Sequence, residues 1–82
     1  MSAPDWLTKR DGSLRSGGQS LVVLIGGSPQ YKVEARPAAG TFVATVQQSN
    51  NGKRMGEAAL GYPTAEAALA GGLEQLRAAL GW

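Results

Sequence analysis

The chain has 82 residues, 43% of them hydrophobic, with eight lysine and arginine residues against six acidic residues. A chain of this length forms one domain and buries only about 60–65% of the surface that its unfolded form exposes. Cysteine and histidine are both absent, which excludes disulfides, thiolate metal sites and the commonest general base. Because the carboxylates are also scattered along the chain, we expect no metal, no cofactor and no enzymatic activity.

Basic side chains are concentrated in the first two thirds of the sequence. Residues 1–56 carry seven basic against three acidic groups, a net charge of +4, whereas residues 57–82 carry one against three, a net charge of −2. This asymmetry indicates the side that an anionic partner would approach; the alternative is an ordinary solvated surface. No stretch approaches the ~20 apolar residues of a membrane span, and the N-terminus lacks a secretory pattern. We therefore expect a cytoplasmic protein without membrane contact.

Residues 1–18 show no sustained periodicity and contain two turn signals, Lys9-Arg10-Asp11-Gly12 and Ser16-Gly17-Gly18. We interpret them as an N-terminal arm, with one short strand or turn possible near Leu14. Residues 19–82 are predicted to form a single α+β domain. Its architecture is an antiparallel meander of three to four strands with one C-terminal helix packed on one face.

The first predicted strand covers residues 20–26 and includes an unbroken apolar run from Leu21 to Ile25. Its two faces are both apolar, so one set of side chains packs under the helix and the other set needs a different cover. That cover is either the N-terminal arm or a second subunit. The candidate interface residues are Trp6, Leu7, Val22 and Leu24.

Three further strands are predicted at residues 31–36, 41–48 and 53–60. In the first two of these, apolar and polar residues alternate, which is typical of strands with one buried face. A three-residue loop with Gly52 in the left-handed conformation is predicted between the last two, placing Ser49 opposite Lys53. This register pairs Phe42 with Leu60, Ala44 with Ala58 and Val46 with Gly56 on the core face, and Gln47 with Met55 and Thr45 with Glu57 on the other. A two-residue loop would bury the Glu57 carboxylate, at a large desolvation cost.

The helix is predicted over residues 64–80, with Thr64 as its N-cap and Glu66 in the first turn. Leucines recur at spacings of four, three and four, which places one apolar stripe on the helix. The stripe consists of Leu69, Leu73, Leu76 and Leu80. Gly72 lies on the stripe, where the alternatives are close approach to the sheet and a backbone surface open to a ligand. Gly81 is predicted to end the helix, with Trp82 folding back as in a Schellman motif.

If the helix covers the Phe42 face, the other face of the sheet is free. It would show Lys32, Glu34, Arg36, Thr41, Val43, Thr45, Gln47, Lys53 and Met55. We therefore expect a small non-catalytic binding module that uses this face, with a protein partner or self-association slightly favoured. The alternative is a nucleic-acid-binding domain. The candidate contact residues are Lys32, Arg36, Thr45, Gln47, Lys53 and Arg54.

Three segments resemble ethylene-response-factor and integrase-arm DNA-binding domains. They are Gly40-Thr-Phe-Val-Ala-Thr-Val46, Asn51-Gly-Lys-Arg54 and Gly61-Tyr-Pro-Thr-Ala-Glu-Ala-Ala-Leu69. The resemblance implies a three-stranded sheet that reads DNA and a helix packed behind it. The strand tryptophans and arginines with which that family contacts DNA are missing, and by position only Arg36, Lys53 and Arg54 could take their place.

The same region, residues 31–69, also resembles HicB-type antitoxins and the double-stranded-RNA-binding fold that they partly share. The matching residues are Tyr31-x-Val33, Gly40-x-Phe42 and Thr64-x-Glu66 followed by Ala-Ala-Leu69. Double-stranded-RNA binders place a lysine cluster at the start of this helix, whereas this chain has Ala65-Glu66-Ala67. We interpret both resemblances as likenesses of fold, a hairpin leading into a helix.

Overall fold

A computed structural model describes residues 2–55 and 59–82, apart from the side chains of Ala59 and Leu60. These residues form an α+β fold with one five-stranded antiparallel sheet, curled as a half-barrel. The elements are α1 (Asp5–Thr8), β1 (Gly12–Gly17), β2 (Ser20–Ile25), β3 (Ser28–Ala38), β4 (Thr41–Gln48), β5 (Ala59–Tyr62) and α2 (Ala65–Leu80). The strands lie side by side in chain order. Neither helix in the described part of the chain has the length and apolar character needed to cross a bilayer.

The predicted number of strands, three to four, is wrong, because residues 12–17 form an additional edge strand. In the β1–β2 hairpin, Leu14 lies opposite Val23 and packs against the core, while Arg15 lies opposite Val22. The segment that we interpreted as an arm therefore belongs to the sheet through β1. The alternating pattern of β1 consists of one apolar residue, Leu14, between polar residues. A pattern this short does not distinguish a strand from a loop.

Strand β3 is longer than predicted, because it includes two prolines that sequence reasoning treats as turn residues. Pro29 lies opposite Leu24, beside an irregularity in the β2–β3 register. Pro37 lies opposite Phe42, beyond the point at which β2 ends its pairing with Glu34. Proline is tolerated in a strand at such bulges and edges, where a ladder hydrogen bond is already missing.

The core lies between the sheet and the leucine stripe of α2, as predicted. Helix α2 packs against β3, β4 and β5. Leu69, Leu73 and Leu76 are buried, and Leu80 is partly buried at the edge of the same cluster. From the strands, the buried members of this cluster are Leu21, Val23, Val33, Ala35, Ala44 and Val46. The alternation predicted for β3 and β4 is thus confirmed.

Gly72 is where α2 comes closest to the sheet. It is buried, and a Cβ atom built there would overlap the side chain of Val33. The close-approach interpretation of this glycine is therefore confirmed. A neighbouring glycine, Gly71, lies against the ring of Tyr62 in the same way.

Both predicted ends of α2 are confirmed. The hydroxyl of Thr64 accepts a hydrogen bond from the backbone N–H of Ala67 at 3.0 Å. Gly81 adopts the left-handed conformation with φ 75°, and its N–H donates to the carbonyl of Ala78. The N–H of Trp82 donates to the carbonyl of Arg77 at 3.0 Å. These two bonds form the Schellman motif.

The predicted register of the β4–β5 hairpin is wrong. At the tip, the N–H of Gln48 donates to the carbonyl of Lys53, and the N–H of Met55 donates to the carbonyl of Val46. Met55 therefore lies on the core side, while Arg54 lies opposite Gln47. The loop between Gln48 and Lys53 has four residues, closed by a hydrogen bond from Gly52 N–H to the Gln48 carbonyl at 2.9 Å. Asn51 stabilises the loop, because its Oδ1 atom accepts a hydrogen bond from the Lys53 N–H at 2.9 Å.

At the other end of this hairpin the register changes. Phe42 pairs with Tyr62 and Ala44 with Ala59, with a shift between these two pairs. The predicted partners of Phe42 and Ala44 were Leu60 and Ala58, and both predictions are therefore wrong. Gly56 and Glu57, which were predicted to pair with Val46 and Thr45, lie outside the described residues. A turn motif constrains the register only near the loop, and bulges further along the strands change it.

Candidate binding face of the sheet

The side of the sheet opposite α2 is the candidate site, and we call it the outer face. Side chains alternate along each strand, so the neighbours of the buried core residues point to this side. Its described members include Ser13, Arg15, Ser20, Val22, Leu24, Lys32, Glu34, Arg36, Thr41, Val43, Thr45, Gln47 and Arg54. Four of these are basic and one is acidic, which gives this face a net charge of +3 within the described residues.

A single row of directly opposed residues crosses the outer face from edge to edge. Arg15 pairs with Val22, Val22 with Lys32, Lys32 with Gln47, and Gln47 with Arg54. Neighbouring strands lie about 4.8 Å apart, so the Cα atoms of the three basic residues in this row are separated by roughly 10 Å from one to the next. We call Arg15, Lys32 and Arg54 the cation row.

The acidic residue of the outer face, Glu34, lies between two basic residues of its own strand. Its Oε1 atom is 3.7 Å from Lys32 Nζ, and its Oε2 atom is 3.5 Å from Arg36 Nη2. Residues two apart on a strand share a face, which brings all three side chains together. The carboxylate thus engages both cations of β3.

The two ends of the cation row differ from its centre. In the described part of the chain, neither Arg15 nor Arg54 lies within ion-pair distance of an acidic group. Both residues are exposed. No described acidic group therefore competes for their guanidinium groups, and an arginine can engage a phosphate or carboxylate in a bidentate manner.

Aromatic residues are absent from the described part of the outer face. Tyr31, Phe42 and Tyr62 pack against the core, while Trp6 and Trp82 contact each other beside the helices. A surface without aromatic rings offers no platform on which nucleobases can stack. The chemistry of this face is that of cations and hydrogen-bonding groups, with Gln47 and Thr45 among them.

The structure brings most of the predicted contact residues together on the outer face. Lys32, Arg36 and Arg54 occur there with Thr45 and Gln47, and Thr45 lies opposite Glu34. Lys53 does not, since it lies opposite Gln48, whose position in the alternation of β4 is on the helix side. The expectation that Lys53 and Met55 share the open face with Lys32 is therefore wrong, because the hairpin register differs from the predicted one.

The four predicted interface residues do not form one surface. Leu7 is 0% exposed inside the core, and Trp6 is half-buried against it. Val22 is half-buried on the outer face, and Leu24, opposite Ser13, is only 7% exposed. The N-terminal residues thus cover the helix side of β2, together with Leu14, rather than the Val22 side.

Sequence reasoning missed Arg15 as a member of the site. The residue lies in β1, and only recognition of that strand would have placed it opposite Val22. The available signal was the alternation Ser13-Leu14-Arg15 between the glycines at 12 and 17. The bridging position of Glu34 was also missed, since its contacts depend on side-chain geometry.

A shallow cleft of about 260 Å³ lies elsewhere, between the N-terminal residues and α2. It is lined by Ser2, Pro4, Trp6, Ala70, Leu73 and Glu74. Its one ionisable group, Glu74, is paired with Arg77 at 3.2 Å. The cleft therefore presents no pair of groups suited to acid–base chemistry.

No family model matches the chain, and the searches of curated proteins and of solved structures found no significant match. The resemblances drawn from residues 31–69 therefore remain predictions. The candidate site depends on the geometry of the outer face alone.

Proposed function

We propose that this chain is a non-catalytic binding module that holds the phosphate backbone of a nucleic acid against the outer face of its sheet. The observation that carries the proposal is the cation row, three basic residues aligned across the sheet. The arginines at its two ends lie beyond ion-pair distance of every acidic group that the structure describes. Phosphate contacts from lysine and arginine supply most of the affinity of sequence-independent nucleic-acid binding.

An anionic partner is favoured over an apolar one by the way in which β2 is covered. From sequence, the apolar run of this strand favours a protein partner. In the structure, Leu21 and Val23 are buried in the core cluster, and Leu24 is nearly inaccessible. Val22 remains half-buried between two cations of the row. On β2, the exposed apolar surface that would favour a second protein is therefore small, whereas the basic residues Arg15 and Arg54 are exposed.

Binding through this face should depend on phosphates more than on base identity. The described outer face lacks aromatic rings, so single-stranded bases gain no stacking energy there. Phosphate contacts position a protein on nucleic acid without reading its sequence. We therefore expect weak sequence preference and a strong dependence on salt.

A fluorescence anisotropy titration with a short labelled duplex tests the proposal. With three to four phosphate contacts, the plot of log K against log salt should have a slope of about −3 between about 50 and 200 mM salt. A labelled neutral polymer of similar length serves as the control for non-electrostatic binding. If the duplex does not bind at about 50 mM salt, the proposal is wrong.

A protein partner or a second copy of the chain is the second candidate. The observation that favours it is the edge of the sheet, since β1 pairs with β2 alone in the described part of the chain. An open strand edge can add another strand by backbone hydrogen bonds. Sedimentation velocity at micromolar concentration tests self-association, and a single monomeric species at all concentrations would exclude it.

A further inference from the structure

Glu34 differs from the other acidic residues of the described chain in its surroundings. It lies in the middle of the outer face, 22% exposed by side chain, between the two cations of β3. The remaining described acids lie elsewhere, at Asp5 in α1, Asp11 in the turn before β1, and Glu66 and Glu74 on the outer side of α2. One carboxylate thus engages Lys32 and Arg36 together.

We infer that Glu34 is an internal competitor for the partner's anionic group, and that it limits the affinity of the outer face. The inference rests on the proposed function. When a phosphate approaches β3, Lys32 and Arg36 must exchange the Glu34 carboxylate for the phosphate. The carboxylate also remains within the face and repels the incoming anion.

The geometry of the two ion pairs is consistent with ready exchange. Their N–O distances of 3.7 and 3.5 Å are longer than the 2.7–2.9 Å or so of a tight charge-assisted hydrogen bond. The cations are also substantially exposed, at 41% for Lys32 and 66% for Arg36. Water and salt screen such pairs, so they contribute little to stability and open easily. Glu34 therefore modulates binding more than folding.

The substitution Glu34→Gln keeps the size of the side chain and removes its charge. We expect it to tighten binding of the labelled duplex by about three- to tenfold at about 50 mM salt, because about one additional phosphate is neutralised. The salt slope should become steeper by about one. The melting temperature should remain within a few degrees of the wild-type value, which thermal unfolding followed by circular dichroism measures.

Glu74→Gln is the matched control. Glu74 also pairs with an arginine, Arg77, but on the exposed side of α2. Both substitutions change the net charge of the chain by the same amount, so the control separates a local effect from a global one. Its affinity and salt slope should stay close to the wild-type values. A second test adds Arg36→Gln to the Glu34→Gln variant. The double variant should lose part of the affinity for the duplex that Glu34→Gln gains.

Duplex binding by the wild type, Glu34→Gln and Glu74→Gln distinguishes the competitor role from the proposed function. Tighter binding by Glu34→Gln with an unchanged Glu74→Gln supports the competitor role. Equal tightening by both substitutions, or no tightening by Glu34→Gln, overturns it while leaving the proposed function intact. Absence of duplex binding by the wild-type protein and both variants overturns the proposed function, and the competitor role with it.

Discussion

The indole rings of Trp6 and Trp82 lie 6.1 Å apart at an angle of 56°, joining the short helix α1 to the end of α2. Arg10 adds to this contact, with its guanidinium carbon 4.6 Å from the centre of the Trp82 ring. Its Nη1 atom also donates a hydrogen bond to the carbonyl of Trp6 at 3.1 Å. The Schellman motif directs Trp82 toward this contact, because the αL conformation of Gly81 turns the chain back.

Replacement of Trp82 by alanine should therefore loosen α1. We expect the free energy of unfolding to fall by about 1–2 kcal/mol, from the lost aromatic pair and the lost cation–π contact. Urea unfolding followed by circular dichroism measures this change. The variant also leaves Trp6 as the one tryptophan of the chain, and its emission should shift to the red as it becomes more hydrated.

Trp82→Phe is the control for that experiment. Phenylalanine retains an aromatic ring and part of the buried area, so its stability should lie between those of the wild type and the alanine variant. An alanine variant as stable as the wild type, with unchanged Trp6 emission, would show that the two rings are not in contact in solution.

A second prediction concerns the close approach of α2 to the sheet. Gly72→Ala should lower the free energy of unfolding by about 1–3 kcal/mol, because the new methyl group overlaps the buried, β-branched Val33. Helix propensity alone would give the opposite result, a gain of about 1 kcal/mol. The sign of the change in a denaturation experiment therefore decides between tight packing and an open backbone surface.

Gly71→Ala is the matched control, since it makes the same change one residue earlier. There the methyl group meets the far end of the Tyr62 side chain, which can move more easily than a buried valine. We expect a stability within about 1 kcal/mol of the wild type, because the propensity gain offsets the cost of moving the ring. If the two variants are equally destabilised, the special role of Gly72 is not supported.

The third prediction compares two adjacent basic residues that the sheet places on different sides. Arg54→Gln should weaken duplex binding several-fold and reduce the salt slope by about one, because Arg54 belongs to the cation row. Lys53→Gln should have a much smaller effect, since Lys53 lies opposite Gln48. Equal losses from both substitutions would indicate binding by net charge alone.

A fourth prediction concerns Arg15 and uses the same anisotropy titration. Arg15→Gln should resemble Arg54→Gln, as the two residues lie at opposite ends of one row. Arg77→Gln, on the exposed side of α2, removes the same charge away from the outer face and should bind like the wild type. An Arg15 variant with unchanged affinity would restrict the binding surface to β3 and β4.

Helix α2 was the element that sequence reasoning predicted best. Its leucine stripe, the Thr64 cap and the Gly81 end are all local signals, set by residues within a few positions of one another. The alternation in β4 is equally local, and its predicted bounds agree with Thr41–Gln48.

The binding face was predicted only in part, because its composition depends on pairing between strands. Arg15 belongs to this face because it lies in β1, a strand with a weak sequence signal. Lys53 was predicted on this face but lies on the other, because the hairpin loop has four residues rather than three. A shift of one residue in register moves a side chain to the opposite face. Strand signals and turn signals in the sequence do not determine that shift when bulges are present.

The formation of helix α2 and the position of its apolar side follow from local sequence, since helix periodicity and capping act over one or two turns. The alignment of Arg15, Lys32 and Arg54 in one row, and the bridging of Lys32 and Arg36 by Glu34, depend on the folded sheet. Hydrogen-bonded ladders join residues that are far apart in the chain. Their alignment follows from the packing of the whole sheet against the helix.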